Sequence, residues 1–297
     1  MEQESKISLM NFQLISQSVG ENINYVQGAG GNTSVKLNNQ EMAIKASGWA
    51  LSNVTNIDGY CIVDYKSINK YLENPDLDES LFVKKINSYV KDKTNSLRPS
   101  IETGFHAMLG KYVIHTHSVF VNSLTCAEEG KDILLNLFPS AIWVDYVTPG
   151  VDITVSIKKA LKNIDISQSQ IIFLENHGVI VSANTAEEVL KLHDDINQKI
   201  KSKVNFDYNI ELKDLDVNSL DLDFICKNII FPDQVVYLLL DGANDITQSY
   251  KEILWTYDFV LQTIKNNNLT PKFLSQENID IILNMESEKY RKKLAAV

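Results

Sequence analysis

Cysteine is scarce: Cys61, Cys126 and Cys226 are the whole complement of a 297-residue chain, widely separated and with no CxxC pair. Such spacing excludes a disulfide framework and a cysteine zinc site, and leaves small buried thiols as the expected role. Long apolar runs are missing as well. No segment approaches the roughly 20 residues of a membrane span, which excludes a transmembrane reading. Met1–Asn11 is acidic and mixed instead of basic and then apolar, so it lacks the form of a secretion signal, and a cytoplasmic location is expected. Positive charge is not in excess: 28 Lys and Arg against 38 Asp and Glu give a formal net charge of -10. A balance of that sign argues against general affinity for nucleic acid or an anionic membrane, while a few local donors can still bind a small anion. Internal repeats and low-complexity tracts are absent too. At 44% hydrophobic and 22% charged residues, the composition is that of a globular chain, able to bury one large core or a main domain with an extension.

Histidine is also rare, and its placement is informative. Of five, His115 and His117 form a His-Thr-His pair inside the apolar run Lys111–Phe120, and His177 lies in Glu175–Gly178 (ENHG). Alternate residues of a strand share a face, so His115 and His117 can offer two imidazoles to one ion, with His177 as a third. Two polar rings about 7 Å apart along a buried strand are costly unless satisfied. Three neutral imidazoles with an open fourth position describe a catalytic zinc, and Mn2+, Co2+ or Fe2+ suit the same ligands. His193, on the apolar stripe of a helix, reads as structural. His106, one turn after Glu102, reads as either packing or support for the site.

The chain organises around these residues. Leu9–Val19 has helical apolar spacing and leads into a glycine-rich turn, Gly28–Ser34 (GAGGNTS). Ser34–Leu37 and Met42–Lys45 read as a hairpin across Asn38-Asn39, expected to exploit asparagine's tolerance of positive φ, and Ala46–Trp49 (ASGW) ends it. Cys61–Asp64 and Tyr112–Thr116 read as strands, Leu81–Val90 as a helix, and Glu102–Gly110 as a helix capped by Ser100. Ile171–Leu174 and Val179–Ser182 form a hairpin about the Asn176-His177-Gly178 turn. Thr185 and Glu188 make a capping box for a helix to about Lys201, with Ala186, Val189, Leu190, His193, Ile196 and Ile200 inward. The polar stretch Lys201–Asp223 suggests a boundary. Beyond it Gln234–Leu240 reads as a strand, and Tyr250–Ile264 and Ser275–Leu294 as helices. The domain division expected is 1–204, catalytic, and 205–297, a C-terminal extension without a readable motif.

Gly30 and Gly31 allow backbone to approach an anion, Asn32, Thr33 and Ser34 supply donors, and Ser47-Gly48 follows close behind; together they predict a phosphate or carboxylate cradle. A dinucleotide loop is not indicated, since GxGxxG is absent. Glu102 alone would read as a solvated carboxylate at a helix start.

Taken in order, GGNTS (Gly30–Ser34), KASG (Lys45–Gly48), Ser100-Ile-Glu102, His115-Thr-His117 and Asn176-His177-Gly178 resemble the class II (zinc-dependent) aldolase/adducin family over roughly Leu9–Lys203. Its members include L-fuculose-phosphate aldolase and the aldolase parts of bifunctional rhamnulose-phosphate aldolase/dehydrogenase proteins; Asn205–Val297 is too short for a dehydrogenase half. The resemblance implies a three-layer α/β fold, a central largely antiparallel sheet flanked by helices, assembled as a homo-oligomer, usually a tetramer with sites at subunit interfaces. It implies zinc on His115, His117 and His177, with Glu102 as acid-base group. It also implies substrate phosphate on Gly31, Asn32, Ser47, Gly48 and Ser100, although Ile101 departs from members with a second serine there. Tyr146 resembles the tyrosine that protonates the aldehyde oxygen from a neighbouring subunit. The implied reaction is retro-aldol cleavage of a ketose phosphate through an enediolate held on the metal. Relatives with the same ion carry out 4-epimerisation, dehydration or decarboxylation, and adducin-like heads are noncatalytic interaction domains.

Overall fold

The computed structural model describes residues 2–92, 96–240 and 247–295. Seven strands form one sheet: β1 (Asn32–Lys36), β2 (Glu41–Lys45), β3 (Tyr60–Asp64), β4 (Tyr112–Thr116), β5 (Ile142–Val144), β6 (Gln170–Leu174) and β7 (Gly178–Ala183), in the order β3-β2-β1-β4-β7-β6-β5. Every pairing is antiparallel except β5 with β6. Helices cover both faces, so β4 and β7, in and beside the middle, are buried along their whole length. This is the three-layer arrangement that the motifs implied, and it explains why these strands read as unbroken apolar runs instead of alternating ones.

Two registers place the site. Asn32 lies opposite His115 across β1 and β4, which brings the glycine-rich turn to the end of the strand that carries the histidines. On the other side β4 pairs with β7, and the β6–β7 turn delivers His177 beside them. Asn176 adopts a φ of 52° at that turn, and Gly178 follows where a Cβ would come within 2.2 Å of the Thr116 carbonyl oxygen. Only glycine permits the hairpin to close against β4 so tightly.

The helix Ala186–Lys201 carries the full capping box of Thr185 and Glu188 and buries its expected stripe, with Leu190 half-buried. Several expectations need correction. The Asn38-Asn39 turn uses no positive φ; the Asn38 side-chain oxygen accepts from the Gln40 and Glu41 amides instead. The helix expected from Leu81 begins at Glu79, capped by Asp78. The helix expected from Glu102 spans Thr103–Met108, and Ser100 leads into it as expected, its Oγ accepting from the Glu102 amide at 3.3 Å and its carbonyl from the Thr103 amide. Gln234–Leu240 is not a strand: Pro232–Gln234 is helical and continues as a π-helical turn over Val235–Leu239. Val235, Val236, Tyr237 and Leu238 are all buried, so no polar face betrayed the period, and Pro232 at the first helical position was the usable signal. Ser275–Leu294 is two helices, Gln276–Asn284 and Glu286–Ala295, parted at an extended Met285.

The chain beyond residue 204 shares the main core. A single cluster of buried side chains runs from Phe12 through Val119, Val235 and Ile253 to Ile282. The helix Gln248–Asn266 packs on the buried helix Val119–Thr125, which follows the histidine strand in the chain and packs against β7.

Candidate active site

His115 ends β4 but one, and His117 follows the last strand residue; with His177 their rings form a near-equilateral triangle with centroids 4.9, 5.0 and 4.9 Å apart. All three are buried, and one potential ligand nitrogen from each lies within 4.8 Å of the others. The hydrogen bonds determine which nitrogens point inward. His115 Nδ1 donates to the Val179 carbonyl at 3.0 Å, and His117 Nδ1 donates to Asp233 Oδ2 at 2.7 Å. The two Nε2 atoms are only 3.1 Å apart, and with both rings neutral, as metal ligation requires, each would present a lone pair to the other. Two lone pairs held face to face repel, and tetrahedral zinc with its usual Zn–N distance would set two nitrogens about 3.3 Å apart, so the donor set fits a small cation between them. Burial lowers His115 to about 4, against the pull of Glu102, and burial with the neighbouring rings takes His177 well below the ordinary histidine range. They are neutral at physiological pH, as ligands must be.

Glu102 faces the trio. Its Oε2 lies 3.5 Å from His115 Nε2 and its Oε1 3.5 Å from His177 Nε2. Asn32 Nδ2 donates to Oε2 at 2.6 Å and to Ser100 Oγ at 3.2 Å, whereas Oε1 is buried without a hydrogen-bond partner. His106 settles the orientation of the Asn32 amide: its Nδ1 meets Ser34 Oγ at 2.7 Å, and its Nε2 meets Asn32 Oδ1. A neutral ring that accepts from the serine donates to the amide oxygen, which turns the Asn32 NH2 toward Glu102. His106 thus supports the site through Asn32. His193 stays structural, with Nε2 on Thr116 Oγ1 at 2.9 Å.

Gly31, Asn32, Ser47, Gly48 and Ser100 line one cavity together with Glu102, His117 and His177. Lys45 lines it also: the side chain is buried, with Nζ donating to the Trp49 carbonyl at 2.6 Å and the Ala29 carbonyl at 3.2 Å. Burial, with Arg291 nearby, lowers Lys45 to about 7. Tyr146 does not line the cavity; its hydroxyl is buried without a hydrogen-bond partner.

Three residues that sequence reasoning missed complete the wall: Asp233, Glu288 and Arg291. Burial pushes the Asp233 carboxyl up, but Arg291 and His117 outweigh it and hold it well below the usual carboxylate range. Arg291 Nη2 donates to Asp233 Oδ1 at 2.6 Å. Gly30 is where it is because Asp233 reaches His117: a Cβ there would lie 2.7 Å from Asp233 Oδ2 and 3.0 Å from His117 Nδ1. Part of the glycine-rich turn therefore makes room for the support of a histidine and not for an anion.

The sequence pattern described as the class II aldolase and adducin N-terminal domain matches residues 15–201, well over half of the chain. The chain belongs to this family. Of the family's solved structures, the N-terminal class II aldolase domain of a conserved protein from Thermoplasma acidophilum aligns over 65% of this chain and 91% of its own, at 22% identity and a TM-score of 0.57. L-fuculose-1-phosphate aldolase from Thermus thermophilus aligns over 68% and 94%, at 14% identity and a TM-score of 0.43. A Bacillus subtilis (strain 168) protein named Uncharacterized oxidoreductase YuxG is 28% identical over 206 residues, covering 64% of this chain and 29% of that protein. The chain thus spans less than a third of that relative's length. Among the described residues, no helix is long and apolar enough to cross a membrane.

Proposed function

We propose that the protein is a metal-dependent aldehyde-lyase that reversibly cleaves a carbon–carbon bond in a ketose phosphate. The observation that carries the reading is the convergence of three imidazoles on a buried point with Glu102 on its open side. His115, His117 and His177 would hold a divalent ion, zinc by preference, which when bound supplies Lewis-acid polarisation of the substrate carbonyl. Glu102 has the geometry of an acid-base group: Oε2 is anchored by Asn32, while Oε1 has no partner and is free to take a proton from the substrate and return it. Lys45, Ser47-Gly48 and Ser100 would receive the phosphate on the far wall of the same cavity. In this reading Asn32 acts first as the anchor of Glu102, with phosphate contact a second duty.

Tyr146 would serve the aldehyde oxygen of a neighbouring copy's substrate in a homo-oligomer, a role that requires its hydroxyl, buried within its own chain, to be uncovered on assembly. Residues 1–204 would form the catalytic unit, and 205–297 an extension that supplies Asp233, Glu288 and Arg291 to it. We place the protein in the cytoplasm and in carbohydrate metabolism.

The test is a screen of ketose phosphates for aldehyde release by metal-loaded protein, with Glu102→Gln alongside. The variant should keep metal and fold and lose about 10²–10⁴-fold in turnover at saturating substrate. Near-normal turnover would move the acid-base role elsewhere. Epimerised, dehydrated or decarboxylated products without aldehyde would replace the reaction while keeping the site.

A further inference from the structure

The cavity has a free volume of about 30 Å³, room for a water or two and far short of a sugar phosphate. What fills it is the last helix, Glu286–Ala295. Glu288 is 3% exposed and lines this cavity together with Lys45, Ser47, Gly48, Ser100 and Arg291. Leu294 sits over the second small-residue turn, where a Cβ on Gly48 would fall 2.6 Å from its own.

We propose that Glu288 holds the place of the substrate's anionic group, and that an anionic ligand enters by expelling this carboxylate and unseating the last helix. The inference takes from the preceding section only that the cavity receives an anion.

Charge gives the first argument. Three carboxyl groups, Glu102, Asp233 and Glu288, line this space with the Arg291 guanidinium and the Lys45 amine, which burial holds near 7. A phosphate cannot join Glu288 there without placing like charges in contact at low dielectric. Burial raises the Glu288 carboxyl above its ordinary value although Arg291 opposes this, so the seat is a costly one.

The second argument is how weakly Glu288 is fixed. Its Oε2 pairs with Arg291 Nε at 2.7 Å, one turn along the same helix, so this ion pair does not tie Glu288 to the rest of the fold. Burying a carboxylate on such a pair recovers little of the cost of desolvation.

The helix itself is detachable. None of its residues belongs to the buried apolar clusters of the described chain. An extended Met285 separates it from the preceding helix, so no continuous helical hydrogen bonding ties the two together. It is held by polar and ring contacts: Arg291 to Asp233, Lys292 Nζ to the Leu240 carbonyl at 2.6 Å, and the Arg98 guanidinium 4.1 Å from the Tyr290 ring centroid. Elements so anchored come from the low-stability end of a structure.

The test uses the full, metal-loaded chain and inorganic phosphate. Calorimetric titration should show Glu288→Gln binding phosphate at least tenfold more tightly than the unaltered protein. Amide exchange over residues 286–295 of the unaltered protein should accelerate at saturating phosphate, and this measurement stands even if the variant fails to fold. Equal or weaker phosphate binding by a folded Glu288→Gln, or a last helix equally or better protected with phosphate present, overturns the proposal. Neither readout uses turnover. A failed ketose-phosphate screen with both results positive removes the reaction and leaves the plug; aldehyde release with both negative does the reverse.

Discussion

Replacing Asp233 by asparagine should loosen the metal without touching a ligand. Asp233 meets two donors at once, His117 Nδ1–H at 2.7 Å and Arg291 Nη2–H at 2.6 Å, and Arg291 and His117 keep it ionised against the cost of burial. Asparagine offers one acceptor oxygen for those two donors, so its NH2 must confront one of them. If the oxygen stays with His117, a neutral amide no longer raises the basicity of the ligand. Loss of such a supporting contact costs about 10–100-fold in metal affinity, or about 1.4–2.7 kcal/mol. The metal-free protein should suffer separately, because Arg291 is left with only Glu288 of its own helix as an ionic partner, and breaking a buried pair costs about 3–5 kcal/mol. Competition titration against a chromophoric zinc chelator measures the first effect, and thermal melting of the stripped protein the second. The double variant Asp233→Asn/Arg291→Met separates them: it should recover stability and keep the metal deficit. Unchanged zinc affinity in Asp233→Asn would refute the claim that this carboxylate orients His117.

Gly30→Ala should act on the same contact, since the new methyl would crowd Asp233 Oδ2 and the Gln27 carbonyl. A loss of about 1–3 kcal/mol in melting experiments, with weaker metal binding, is expected; metal affinity equal to the parent's would show that the wall has slack. Glu79 gives a pH signature away from the metal. Burial raises it from 4.5 to about 7, partly offset by the Val151 amide, with the charges of Glu288 and Asp152 adding to the rise. The folded state therefore holds the proton more tightly than the unfolded one, and stability falls as pH rises from about 4.5 through 7, by at most about 3 kcal/mol before allowance for partial exposure. Glu79→Gln keeps an acceptor for Val151, so its melting temperature should gain on the parent's between pH 4.5 and 7; parallel curves would discard the assignment.

The sequence announced the site where short-range rules apply. Alternation on a strand brought His115 and His117 together, and the tight Asn176-His177-Gly178 turn held His177 beside them. The capping box at Thr185 marked a helix by local hydrogen bonds alone. Where every face is buried, the period vanishes: all of Val119–Thr125 is buried, its Asn122, Ser123 and Thr125 included, and Val235–Leu239 has no polar side to reveal a helix. The strand Ile142–Val144 is too short to show alternation. Asp233 and Arg291 were illegible for another reason. They lie 116 and 174 residues beyond His117, the second figure being 291 minus 117, and only the packing of the C-terminal segment into the main core brings them to it. Asn32 was legible as a polar donor in the glycine-rich turn, but its partners, Glu102 and His106, could be assigned only from the fold.

The central claim is that His115, His117 and His177 hold one divalent ion. Elemental analysis of the purified protein, after dialysis against trace zinc, should find about one transition metal per chain, and His117→Ala, shown to be folded by circular dichroism, should retain almost none. Full occupancy in that variant, or a parent protein that takes up no metal, would contradict the account.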